Sequence, residues 1–260
     1  MSRRPFSRKA ALTASGGRMG IPIPMIPMKT RTPISPTGII TTTPMNEARL
    51  KLAAWLSPAF PVSAYAYSHG IEAAVSEGRV RDAASAEAWV GDVLAHGAGR
   101  TDAILLAEAW RAATSGDAEA MAEVAELALA LAPSKERLLE TEGQGAAFAA
   151  VSAAAWGGAD GPAPYPVAVG RAAAEHGAPL SEALALFLQA FASNLISAAI
   201  RLVPLGQTDG QRALAALTPL CLTLAAEAEA ATLDDIGGCA ILSDIAAMRH
   251  ETLETRIFRT

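Results

Sequence analysis

Between Glu182 and Arg201 lie 18 residues without a charge, ALALFLQAFASNLISAAI. A helix that is apolar on every side has to be covered, either by lipid or by protein. The run only just meets the lower length limit for a bilayer span. Gln189, Ser193, Asn194 and Ser197 interrupt it with polar groups, and no second span is evident. It therefore reads as the central helix of a bundle or as a helix at a dimer interface. A membrane-associated helical protein is the weaker alternative.

The chain around this segment repeats the same period. NEARLKLAAWL opens on Asn46, a good cap, and stops before Ser57-Pro58. Further helices are predicted near 70–77, 85–97, 101–115 and 117–131, with Gly78, Gly97 and Gly116 where stops are expected. Ser134 caps a run to Gly157-Gly158, and GADGPAPYP is the clearest internal loop. A helix near 166–176 follows, then one opening at Ser181 and running to about Val203. Thr208 and Gln211 have capping-box spacing for a short helix, and two more follow near 219–231 and 239–250. No stretch alternates with period two for long enough to build a sheet. The fold class is all-α, a single helical bundle domain over 47–260 with roughly eight to ten helices.

Residues 1–46 are a different material. They carry seven basic residues and no acidic one, and the prolines of GIPIPMIPMKTRTPISPTG are too dense for helix or central strand. A disordered basic, proline-rich extension is expected. SRRPFSRK has the look of a twin-arginine export signal, but AALTASGGRMG after it is too short and broken for an apolar h-region. Met45, directly before the first helix, is a plausible natural start.

Charge and thiols narrow the function. The net charge is −5, which leaves no broad basic field for nucleic acid. Charged residues make up 18% of the chain, below the ~25% usual in globular domains, a weak sign that partners cover part of the surface. Two cysteines, Cys221 and Cys239, without CxxC spacing suit a reduced cytoplasmic protein. Both are expected on apolar helical faces as small buried hydrophobes, with at most transient soft-metal contact.

Catalytic constellations are not readable. Ser68 and His69 are sequence neighbours, which do not face each other on a helix or strand, and no GxSxG elbow accompanies them. A hydrolase using this pair is the alternative to weigh against a shaped turn, in which Pro58 and Pro61 set direction and Ser68 caps the helix after Gly70. His69, His96, His176 and His250 show no metal-ligand spacing, and lone histidines near helix ends read as caps or surface groups. TEGQGAAF has only GxG and no preceding strand, so it is no nucleotide loop. No catalytic, cofactor-binding or metal residue is predicted, and an interaction protein outranks an enzyme. The end of the chain supports this: Ile257 and Phe258, set between Arg256 and Arg259, have the composition of an anchor that buries in its own domain or in a partner.

Four segments in order, SPAFPVSAYAYSHGIE, KERLLETEGQGAAF, IRLVPLGQTDGQRAL and DDIGGCAILSDIAAMRHETLETRIFRT, resemble the UreF family of urease accessory proteins over about residues 48–260. The resemblance implies an all-α homodimer without catalysis of its own, acting in the cytoplasm. It implies binding to UreD (UreH in some organisms) and recruitment of the GTPase UreG onto apo-urease (UreABC). GTP hydrolysis is then coupled to nickel insertion. Nickel passes transiently, with no stably bound cofactor, no nucleic acid and no membrane. The partner-binding residues it implies in the first motif are Tyr67, Ser68, His69 and Glu72, framed by Pro58, Pro61 and Gly70. In the loop motif they are Pro204, Leu205, Gly206, Gln207, Thr208, Gln211 and Arg212, with Gly210 also matching. In the tail they are Arg249, His250, Glu251, Arg256, Phe258 and Arg259. Ser63 and Tyr65 stand where the family favours Gly and Phe, and Thr255 where it favours Ser. A residue with a Cβ at 63 is strained if that position holds positive φ.

Overall fold

The structure, a computed structural model, describes residues 46–260. The predicted extension, apart from Asn46, lies outside the described residues. The chain runs α1 (Glu47–Trp55), α2 (Ile71–Ser76), α3 (Ala83–His96), α4 (Ala98–Ser115) and α5 (Ala118–Ala130). It continues through α6 (Lys135–Trp156), α7 (Tyr165–Glu175), α8 (Leu180–Leu202), α9 (Gln207–Ala230) and α10 (Ile241–His250). Short 3-10 turns cover Ala64–Ala66 and Leu233–Asp235, and no strand occurs among the described residues.

The uncharged run is the middle of α8, and protein covers it. α8 packs against α1, α2, α3, α4, α7 and α9. Leu184, Phe187, Leu188, Leu195 and Ile196 are buried in the main core. At ~1.5–3 kcal/mol for each fully buried large apolar side chain, this helix is a main source of stability. Alanines let its neighbours approach closely. α4 and α7 cross so tightly that a Cβ on Gly170 would lie 2.3 Å from the Leu106 carbonyl oxygen.

Local signals mostly act as read. Asn46 accepts the Arg49 N–H at 3.0 Å and Ser134 accepts that of Arg137 at 3.2 Å. Gly116 caps α4 with φ 72°. α8 starts one residue before Ser181, on Pro179, and Ser181 makes no cap.

The segment after 206 departs from expectation. The predicted short helix and the helix near 219–231 are one 24-residue helix, α9, with Pro219 inside it. Proline removes a single N–H and usually costs a helix interior ~3 kcal/mol. Here Pro219 is exposed, while Ala213, Leu217, Cys221 and Leu224 are buried along the face on either side and hold the helix together. The Thr208–Gln211 capping box does not form, because Gly206 is the N-cap and Thr208 already lies in the first turn. Joining the two pieces also gives α9 the length and mean hydropathy of a second candidate span, beside α8.

Between α1 and α2 the chain turns sharply. Pro58 and Pro61 precede the 3-10 turn, and three left-handed residues follow the change of direction: Ser63 (φ 58°), His69 (φ 51°) and Gly70 (φ 76°). Ser63 therefore occupies the position where a glycine is favoured, and it carries the strain of a Cβ in that region. Ser63→Gly is expected to raise stability by about 1 kcal/mol, and the melting temperature by roughly 2–4 °C. A melt of the variant at or below that of the parent chain would refute this.

Candidate functional site

The strained turn delivers Ser68 and His69 into the interior, beside one face of α6. Ser134 caps α6, so Arg137, Glu140 and Gln144 point to the same side at helical spacing. All three are buried, as are Ser68, His69 and Glu72. Buried polar groups need partners, and here they find one another.

Glu140 is the hub. Its Oε1 accepts from His69 Nε2 and from Gln144 Nε2, each at 2.9 Å. Its Oε2 accepts from the Thr260 hydroxyl at 3.0 Å and pairs with Arg137. Burial alone would raise the Glu140 carboxyl, but the Arg137 guanidinium, then His69 and the hydrogen bonds, outweigh it and hold it at about 2. His69 Nε2 also lies 2.8 Å from Arg137 Nη1. Burial, and then the Arg137 charge, lower the His69 imidazole below its ordinary value. The ring is therefore neutral, and its edge packs on Phe191 with centroids 4.9 Å apart.

Glu72 is the second hub, and it holds the tail. Its two oxygens accept the backbone N–H groups of Ile257 at 2.7 Å and Phe258 at 2.9 Å. His250, fully buried at the end of α10, lies with Nε2 3.0 Å from Glu72 and Nδ1 2.7 Å from Glu136. Arg256 pairs with Glu136 in turn. The Ser68 N–H donates to the Thr260 backbone oxygen at 2.9 Å, its hydroxyl donates to the same oxygen, and it accepts the Glu72 N–H at 3.3 Å. Ser68 thus takes a first-turn amide as expected, but from two residues before the actual N-cap, Gly70. The Arg259 N–H donates to the Ala66 carbonyl at 2.8 Å. Phe258 is buried beneath Arg201, whose guanidinium sits 4.2 Å from the ring centroid.

Two readings from the sequence are corrected here. His69 and His250 are not caps or surface groups but buried members of ion networks, because partners distant in sequence surround them. Cys239 is exposed and lies before α10, 3.6 Å from Asp244, whereas Cys221 is buried as expected. Ser68 and His69 do not hydrogen-bond to each other, since each is committed to other groups. Among the described residues, no cluster of three or more His, Cys, Asp or Glu could hold a metal.

The first motif and the loop motif meet at a cavity of about 460 Å³. Ser57, Pro58 and Tyr65 from the turn, with Arg201 near the end of α8 and Gln207 at the start of α9, contribute to its lining. His69, Arg137 and Glu140 line it too, as do Asp102 of α4 and Tyr165 of α7. Burial pushes the Asp102 carboxyl up to about 7, with Arg137 opposing and Glu140 adding to the rise. Burial, then Asp102, raises the Tyr165 phenol.

The expected docking residues divide into two groups. Tyr67, Ser68, His69, Glu72, His250 and Phe258 are buried and shape the site from within. Pro204, Gly206, Gln207, Thr208, Gln211, Arg212, Arg249, Glu251, Arg256 and Arg259 are exposed, and Leu205 is half-buried. Arg249 pairs with Glu77 at 2.6 Å, and Glu251 accepts the Lys135 N–H at 2.9 Å. The sequence reading missed Asp102, Glu136, Arg137, Glu140 and Arg201. The signal for two of them was present in part, because Arg137 and Glu140 sit at i, i+3 on one face of α6, the spacing of a helical ion pair. It also missed a stripe on α10: Ile241 (61%), Leu242 (54%), Ile245 (39%) and Met248 (51%) are exposed, as is Ile257 (67%) in the tail.

Comparison with known proteins places this geometry among relatives. The profile of the family described as UreF matches residues 80–218. A urease accessory protein UreF of Cereibacter sphaeroides strain KD131 is 63% identical over 216 residues, covering 83% of this chain and 100% of that protein. One from Rhodopseudomonas palustris strain HaA2 is 51% identical over 81% of this chain and 92% of its own length. One from Methylobacterium sp. strain 4-46 is 50% identical, covering 81% and 88%.

Glu140→Gln leaves Arg137 without its buried counter-charge, and is expected to cost about 3 kcal/mol at neutral pH in denaturant unfolding. The folded carboxyl lies at about 2 against an ordinary 4.5, so its contribution is full above pH 4.5 and fades as pH falls toward 2. The gap between parent and variant should therefore narrow below pH 4.5. A gap that is constant with pH would refute this assignment.

Proposed function

This chain belongs to the UreF family of urease accessory proteins, and from that premise we propose that it is the adaptor that joins UreD and the GTPase UreG on apo-urease. In this reading GTP hydrolysis by UreG drives nickel, as cargo, into the urease active site. The chain contributes surfaces rather than a reaction, acts in the cytoplasm and works as a homodimer.

One observation carries the reading most of all: an apolar stripe left exposed beside a tail that is pinned from within. Five large apolar side chains, four on α10 and Ile257 in the tail, lie in water. Grouped apolar exposure of this kind marks protein interaction sites. The tail that carries Ile257 does not fray, because Glu72 holds two of its amides and Phe258 is buried. Such a pre-ordered surface loses little conformational freedom on docking. We assign this face to UreD. The second surface is the α8–α9 connection, where Gln207, Thr208, Gln211 and Arg212 are exposed on the end of a rigid helix. We assign it to UreG. The hydrolase alternative finds no support, since Ser68 and His69 are engaged elsewhere. The membrane alternative is weakened by the protein cover over α8.

Removing residues 249–260 would also open the Glu72 and Glu140 hubs, so substitutions on the exposed stripe test docking more cleanly. Ile257→Asp with Met248→Asp is expected to abolish co-purification with UreD. Circular dichroism should be unchanged and the melting temperature should move by no more than ~2 °C. Retained co-purification would sink the assignment of this face, and failure of the parent chain to co-purify with UreD and UreG would sink the adaptor reading itself.

A further inference from the structure

The cavity beneath the turn has properties that docking does not use. Its volume of about 460 Å³ falls in the range of small-molecule sites, roughly 300–1,000 Å³. Tyr165, Phe187 and Phe191 give it aromatic walls, and Trp55 closes one part of it. Two polar groups in this lining lack partners. The buried indole N–H of Trp55 has no acceptor. The Asp102 carboxylate makes no hydrogen bond or ion pair among the described residues. An unpaired carboxylate in a partly dry site is costly, and an occupant that supplies a cation offsets the cost.

The sign of the occupant follows from the other charges. Arg137 is neutralised by Glu140. Arg201 lies over the Phe258 ring and donates to the Tyr65 carbonyl at 2.7 Å. His69 is neutral. Arg201 keeps its charge but is exposed to solvent, whereas buried Arg137 is ion-paired, so the buried part of the wall offers an anion no unpaired positive group and offers a cation Asp102 and several ring faces.

We propose that this cavity binds a small organic cation with a flat apolar body, an aryl amidine or guanidine, whose charged end pairs with Asp102 and whose body lies against the aromatic walls. Occupancy depends on the ionised form of Asp102. The groups that face it are Arg137 and Glu140 from α6, Tyr165 from α7, Arg201 from α8, His69 from the turn and, across a second smaller cavity that Asp102 also lines, Asp244 of α10. With the Asp102 carboxyl at about 7, binding is strong above neutrality and is lost as pH falls. Asp102 lies on neither exposed surface, although Gln207 belongs both to the cavity lining and to the surface assigned to UreG, so the titration is made on the chain without partners.

Isothermal titration of the full chain tests it, with benzamidine as the probe and benzyl alcohol and benzoate as the neutral and anionic counterparts. Benzamidine should bind at pH 8, at least ~10-fold tighter than benzyl alcohol, and benzoate should not bind. At pH 6 the parent chain should bind benzamidine about tenfold more weakly, as the carboxyl gains its proton. Asp102→Asn, which preserves shape, should lose about tenfold at pH 8 and show no pH dependence. The proposal is overturned if benzamidine gives no heat at pH 8, if benzyl alcohol binds equally well, or if Asp102→Asn binds as the parent does. Should the variant fail to fold, the pH series on the parent chain decides alone.

Discussion

Two buried carboxylates tie together parts of the chain that lie far apart in sequence. Glu140 receives donors from the turn, from its own helix and from the last residue. Glu72 receives two backbone amides of the tail and a ring nitrogen of His250. Each satisfies groups that would otherwise be buried without partners, at ~1–3 kcal/mol apiece. Remove either, and the turn, α6, α10 and the tail lose their common reference. The left-handed conformation of His69 belongs to the same arrangement, because that backbone aims its ring at Glu140. Strained conformations persist where the surroundings over-determine them, and here α6, α8, α10 and the tail all contact His69.

The molecule thus inverts the usual placement at one end. Arginine, glutamate and histidine are inside, while isoleucine, leucine and methionine on α10 are outside. The two facts are linked. α10 turns Ser243, Ala246, Ala247 and His250 inward, and the inward network uses the polar ones. The apolar positions at i, i+1, i+4 and i+7 are left facing water. Reversing the helix to hide them would strip Glu72 and Glu136 of His250.

Much of this was legible from the residues. The uncharged middle of α8, the caps at Asn46 and Ser134 and the glycine stops are local signals, and local physics decides them. Ser63 was flagged by the family resemblance, which favours Gly at that position, and the backbone has positive φ there. The join in α9 was not legible, because Pro219 reads as the start of a new helix until the buried face on either side of it is known. Nor were the roles of His69 and His250, since their partners lie 71 and 178 residues away. A histidine looks the same on paper whether water or a carboxylate surrounds it. Asp102 was illegible for the converse reason: it has no hydrogen-bond or ion-pair partner among the described residues, which only three dimensions reveal.

The tail's hydrogen bonds also impose an order in time. Residues 257–260 bond to groups up to 192 positions earlier, so those groups are synthesised long before their partners exist. Until then the turn amides, Glu72 and part of Glu140 lack their final ligands, and contacts of such separation form late and slowly. A nascent or truncated chain can build α3 to α9 and still lack the ordered end that carries Ile257. The face proposed for docking is therefore ordered only once residues 257–260 have joined the fold, and a partner that binds there would tell chains that have closed this end from chains that have not.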